Sequence, residues 1–274
     1  MIDDAEAVFF DIGGVVLDLA SVRKGHRRFV TELATEYDLD EERALGTWRA
    51  VLGEYFRERR GTEFRSAAAG YNRAIEAAVG SPVPEEEWRP IFERATEECL
   101  QPVDGARETI EALSGAVYLG LISDIDTREA ERILGEFGLI EYFDEMTTSE
   151  EVGRTKPDPA VFATAIGNAG VDPDRSVMVG DRYHNDMRGG SWAGLRTVAF
   201  GGSAATGPEA ETDGPDADTE GSEAETGTGT DGTTDNDEGK AGASRDPDGV
   251  VDYRIAGLCD LLEIVGLDGI DGTS

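Results

Sequence analysis

Lysine is scarce in this sequence: Lys24, Lys156 and Lys240 are the only three among 25 basic residues, and the rest are arginine. Histidine (His26, His184) and cysteine (Cys99, Cys259) occur twice each. The cysteines lack metal-ligand spacing and fall in separate apolar helical patterns, so both are expected to be buried free thiols. No stretch approaches the roughly eighteen consecutive apolar residues that a membrane helix needs. The start, MIDDAEAVFF, is acidic where a secretory signal is basic. The expectation is a cytoplasmic protein with no membrane partner, in which a disulfide would have no place.

Negative charge is abundant instead. Segment 203–247 carries thirteen acidic residues against Lys240 and Arg245, yet most of the net charge of −33 lies outside it. A carboxylate-dense, lysine-poor surface repels itself at low ionic strength, and molar salt screens that repulsion within a few ångströms. The composition resembles that of salt-adapted proteins. It excludes nucleic acid as a partner, because no net positive face is available to displace counterions.

The length of 274 residues suits one α/β domain with a sizeable second module. EAVFF reads as a buried strand feeding the turn Asp-Ile-Gly-Gly. From about 20 to 100 the apolar residues recur three and four apart, as in HRRFVTELATEY and EEWRPIFERATEECL. Beyond Pro102 helical patterns alternate with the short apolar runs VYLGLIS, SVMVGD and RTVAFG. That alternation predicts a Rossmann-like, doubly wound parallel sheet. Its core is expected over 1–19, 101–202 and 249–274, with a helical cap inserted at 20–100. The low-complexity segment 203–248 is expected to be a disordered acidic insert, a solvated loop without a role. VVDYRIAGLCDLLEIVG then supplies a last strand and helix.

In an open parallel sheet, ligands bind beyond the carboxyl ends of the strands. Asp11 follows VFF, Ser123 follows GLI and Asp181 follows MVG, while Lys156 lies in GRTKPDP ahead of a helix. Carboxylates, a hydroxyl and a lysine thus converge on one rim. The set suits phosphate chemistry, with a metal and an ammonium to neutralise the anion and Asp11 to attack phosphorus. The rarity of lysine favours a role for Lys156 that needs a compact ammonium.

With these residues in place, the chain resembles the haloacid dehalogenase-like hydrolase superfamily, in its helical-cap phosphatase type. Four motifs carry the resemblance, in order: FFDIGGVVLDL at 9–19, LGLIS, GRTKPDPAVF and VGDRYHND. The resemblance implies Asp11 as nucleophile and Lys156 as the bridge between nucleophile and phosphoryl group. It implies Ser123, Asp124 and Lys156 around the substrate phosphate. It further implies Mg2+ held by Asp11, the Gly13 carbonyl, Asp181 and Asp186. A monomer or weak dimer acting on a small phosphorylated metabolite is the expectation.

One position departs from that pattern. Most of the family's phosphatases read Asp-x-Asp in the first motif and use the second Asp as general acid/base; here it is Gly13. The missing proton donor is worth on the order of 10²–10⁴-fold in rate. A phosphomutase, which needs that group in both directions, is disfavoured, and substrates with good leaving groups are favoured. Asp124, Asp126 and His184 are the candidates to substitute. Dehalogenases also lack the second Asp, but they need no metal and lack the Gly-Asp…Asp motif that stands here in GDRYHND. Two alternatives stay open: a 2-haloacid dehalogenase, and a catalytically inactive binding or regulatory protein of the same fold. The thirteen basic residues between 20 and 100 face sixteen acidic ones, which points to ion-paired helix faces.

Overall fold

The computed structural model describes residue 2, residues 4–207 and residues 248–267. Strand β1 (Ala7–Phe10) is buried along its whole length and ends at Asp11. Four helices follow: α1 (Leu19–Glu36), α2 (Glu41–Arg57), α3 (Ala67–Val79) and α4 (Glu85–Glu97). Asp18, Asp40 and Ser66 cap the first three, each side chain accepting from backbone N–H groups that a helix start leaves unpaired. These helices bury their apolar stripes against one another. Phe29, Leu33, Trp48, Leu52, Ile75, Trp88 and Phe92 form a core of their own.

The chain then alternates as the hydrophobic pattern predicts. Helix α5 (Ala106–Leu113) leads to β2 (Tyr118–Ser123), α6 (Thr127–Glu136) to β3 (Glu145–Thr148), and α7 (Ser149–Val152) and α8 (Pro159–Ala169) to β4 (Ser176–Gly180). A π-helical turn (Tyr183–Arg188) runs into α9 (Gly189–Trp192), β5 (Arg196–Phe200) and α10 (Gly202–Thr206). Strand β6 (Tyr253–Ile255) and α11 (Asp260–Ile264) complete the order.

All six strands pair in parallel, in the order β3-β2-β1-β4-β5-β6. Because side chains alternate across a strand, Val8 and Phe10 face one layer, with Leu121, Val179 and residues of α5, α6 and α11. Ala7 and Phe9 face the other, with Met178 and Val161, Phe162 and Ala165 of α8. The sheet is therefore wound on both faces. Strands β2 and β3 extend the sheet on one side of β1 and β4 to β6 on the other, so the order of strand addition reverses at β1 and a crevice is expected at its carboxyl end.

Two expectations need correction. Cys99 is buried, but Cys259 is exposed: it stands at the corner before α11, while its neighbours Leu258 and Leu261 take the inward positions. Residues 203–206, assigned by composition to the acidic insert, belong to α10. Ala204 is buried there, its N–H donates to Asp181 O at 2.9 Å, and Ser203 Oγ accepts from Tyr183 N at 2.9 Å. Residues 208–247 of the proposed insert lie outside the described residues. No helix among the described residues is long and apolar enough to cross a membrane.

Candidate active site at the carboxyl end of the central strand

The register of β1 against β2 and β4 brings Asp11, Ser123 and Asp181 to one edge of the sheet. Three donors converge on Asp11 Oδ1: Ile12 N at 2.8 Å, Ser123 Oγ at 2.8 Å and Lys156 Nζ at 2.9 Å. The lysine also stands 2.6 Å from Asp186 Oδ1 and donates to Ile122 O at 3.0 Å. Its side chain is wholly buried. Burial opposes the ammonium, but Asp11, Asp186 and Asp124 outweigh that cost and hold it protonated above its ordinary range.

Asp11, Asp181 and Asp186 are all buried and offer oxygens within 4.8 Å of one another. The Asp181 carboxyl is pushed up to about 8, by burial first and then by Asp186 and Asp11. Burial also raises Asp186, with Asp11 adding to the effect against the pull of Lys156. Its Oδ2 accepts from Arg182 N at 3.0 Å, whereas Oδ1, fully enclosed, receives no well-directed hydrogen bond. Three crowded carboxylates facing one ammonium carry excess negative charge. A hard divalent cation fits both the charge and the all-oxygen donor set.

Two glycines make the crowding possible. Gly14 adopts φ +73°, and a Cβ there would lie 2.2 Å from Asp181 Oδ2; one on Gly180 would lie 2.2 Å from Asp186 Cβ. Gly13 is different. A Cβ there would meet only Leu19 Cδ2 at 3.5 Å, so neither space nor backbone requires glycine.

The Asp124 side chain is engaged within the protein. Its Oδ1 accepts from Lys156 N at 2.8 Å and Ser149 Oγ at 2.7 Å; its Oδ2 accepts from Arg182 Nη2 at 2.9 Å and Asn185 Nδ2 at 3.1 Å. Burial pushes its carboxyl up, but Lys156, Arg182 and these bonds bring it below the ordinary carboxylate range. A carboxylate so held does not donate a proton. Of the other candidates for the missing acid, Asp126 accepts from Ser66 and Ala67 although burial raises its carboxyl, and His184 is exposed. Arg182 and Asn185, which sequence reasoning passed over, stand within the fourth motif beside Asp181 and Asp186; an arginine next to a buried carboxylate cluster was the available signal.

A parallel sheet with a buried carboxylate at its switch point, a buried lysine and two further buried carboxylates fits a class of hydrolases built on a doubly wound sheet. The chain belongs to the haloacid dehalogenase-like hydrolases, whose family profile matches residues 5–194. It is 27% identical over 218 residues to a glyceraldehyde 3-phosphate phosphatase of Methanothermobacter thermautotrophicus, covering 76% of this chain and 89% of that one. It is 29% identical over 211 residues to a ribulose-1,5-bisphosphate 5-phosphatase of Halopiger xanaduensis, covering 72% and 84%. In fold it is similar to a hydrolase of this family from Bacillus subtilis, solved bound to magnesium, with a TM-score of 0.61 at 18% identity over 96% of this chain and 99% of that one.

Proposed function

We propose that the chain is a magnesium-dependent phosphatase that passes the phosphoryl group of a small phosphorylated metabolite to Asp11 and then to water. The observation that carries this reading is the convergence of Ile12 N, Ser123 Oγ and Lys156 Nζ on one oxygen of Asp11, beside Asp181 and Asp186. Three donors hold Oδ1, so attack on phosphorus falls to Oδ2. The phosphorus–oxygen ester bond breaks, the leaving oxygen departs with its electron pair, and water then cleaves the aspartyl phosphate. Lys156 and Ser123 neutralise and orient the phosphoryl oxygens, in a buried site where such interactions are strong. Asp11, the Gly13 carbonyl, Asp181 and Asp186 would hold the magnesium ion. Bound there, it would supply charge neutralisation for the anion.

Residues 20–100 act as the cap, and the core comprises 1–19, 101–202 and 249–274. The names of the two relatives support sugar and triose phosphates as the first substrates to test. With Gly13 in the acid's position, the leaving group departs without a carboxylic proton donor. The charge of −33 suits work at molar salt.

The test is a panel of phosphorylated metabolites assayed with magnesium at high salt, beside Asp11→Asn. Phosphate release by the parent and none by the variant supports the reading. Activity on 2-haloacids that survives EDTA would instead identify a dehalogenase. No turnover, together with no stabilisation by beryllium fluoride and magnesium, would mark a binding protein.

A further inference from the structure

The segment joining α2 to α3 lies across the loop that carries Lys156. Thr155 N donates to Thr62 O at 2.8 Å, Phe64 N donates to Gly153 O at 3.2 Å, and Glu63 pairs with Arg154 in an antiparallel bridge. Thr62 Oγ1 donates to Asp158 Oδ2 at 2.6 Å, and Asp158 in turn caps α8. Lys156 is thus gripped on both sides by the helical module, at 153–155 and at 158. From within, its N–H is held by Asp124.

A second fastening lies close by. Asp126, three residues past Ser123, is 9% exposed and accepts from Ser66 Oγ and, at 2.8 Å, from Ala67 N. A carboxylate of the core therefore serves the first turn of α3, a helix of the module. The same short stretch of module, 62–67, is tied to the loop of the phosphate-facing serine and to the loop of the lysine.

We propose that Thr62 and Asp126 are positioning residues: by docking segment 62–67 they hold Lys156 in register with Asp11. The proposal rests on the phosphatase reading. The three contacts of Lys156 Nζ, to Ile122 O, Asp11 and Asp186, all depend on where backbone 153–158 lies. A displacement of about 1 Å in a group that meets the transition state can cost on the order of a hundredfold in rate. The module is then part of the catalytic scaffold as well as a cover.

The experiment uses the full chain with Asp126→Ala, Asp126→Asn and Thr62→Val. Amide exchange is followed over 153–158 without substrate, and kcat and KM are measured well below the melting temperature. Asp126→Ala is expected to speed exchange at 153–158 and to lower kcat about tenfold or more, with KM changing less. Asp126→Asn, which keeps one acceptor oxygen, falls between. Thr62→Val shows the same effects if Asp126→Ala does not fold. Exchange equal to the parent overturns the docking claim, and an unchanged kcat overturns the positioning claim whatever the exchange does. An inactive parent would instead count against the phosphatase reading, and the exchange result would still decide the docking.

Discussion

The wholly buried Lys156 ammonium stands 2.9 Å from Asp11 Oδ1, and the same nitrogen is 2.6 Å from Asp186 Oδ1. One cation thus bridges two buried carboxylates and offsets their mutual repulsion. Removing it leaves both uncompensated, which in buried pairs costs roughly 3–5 kcal/mol. Lys156→Met should lower the melting temperature of the metal-free protein and reduce kcat at least about a hundredfold. Lys156→Arg should not restore activity, because the planar guanidinium does not fit a site shaped for a compact ammonium. Thermal melts with and without magnesium, alongside kinetics, check both points; an active arginine variant would contradict them.

Metal removal should make stability depend on pH. The Asp181 carboxyl is raised from its ordinary value to about 8 in the folded, metal-free state. The folded protein then binds more protons than the unfolded chain between about pH 4 and pH 8. Stability is full below that window and is lost as pH rises through it. Because the buried His26 works in the opposite sense below about pH 6.5, denaturant midpoints of EDTA-treated protein should fall most clearly from about pH 6.5 to about pH 8. Magnesium should abolish the decline by binding the ionised carboxylates. A flat profile without metal would contradict this electrostatic picture.

The vacancy at Gly13 is a matter of chemistry, since a Cβ there meets only Leu19 Cδ2 at 3.5 Å. Gly13→Asp should therefore fold. In the parent, kcat/KM across a series of phosphate esters should fall steeply as the leaving group becomes more basic. In the variant the slope should flatten, with gains on the order of 10²-fold or more for alkyl phosphates. Identical slopes would mean that no proton donor is missing.

His26 links the helical module to acid sensitivity. Its ring packs against Trp48, Tyr71 and Phe92, and its Nε2 lies 3.2 Å from Tyr71 Oη. Burial lowers its pKa to about 4, with Glu129 opposing and Arg132 assisting. The unfolded chain then binds the extra proton between about pH 6.5 and pH 4, so stability falls as pH drops through that range. The loss approaches roughly 3 kcal/mol at its lower end. Urea titrations at pH 7 and pH 4.5 should show a smaller difference for His26→Phe than for the parent.

The parts of the site that sequence reading could reach share one property: each follows from local pattern. Asp11, Ser123 and Asp181 sit immediately after short apolar strands, and a parallel sheet brings such positions to one edge. Asp186 shares a motif with Asp181, and Lys156 stood out by its rarity. The contacts that could not be read join residues far apart in the chain. Asp126 meets Ser66 and Thr62 meets Asp158 only because the helical module docks where it does. The engagement of the Asp124 carboxylate by Ser149, Lys156, Arg182 and Asn185 likewise has no trace in spacing. Cys259 misled because helical periodicity fixes a stripe and leaves the corner before a helix undetermined.

The most direct measurement is an acid-quenched single turnover of phosphorus-labelled substrate, followed by mapping of the label on the chain. Label should appear transiently on the peptide containing Asp11 and be absent from Asp11→Asn, which should release no phosphate. Turnover by that variant at the parent's rate, or label on another residue, would contradict a covalent role for the carboxylate at the tip of β1.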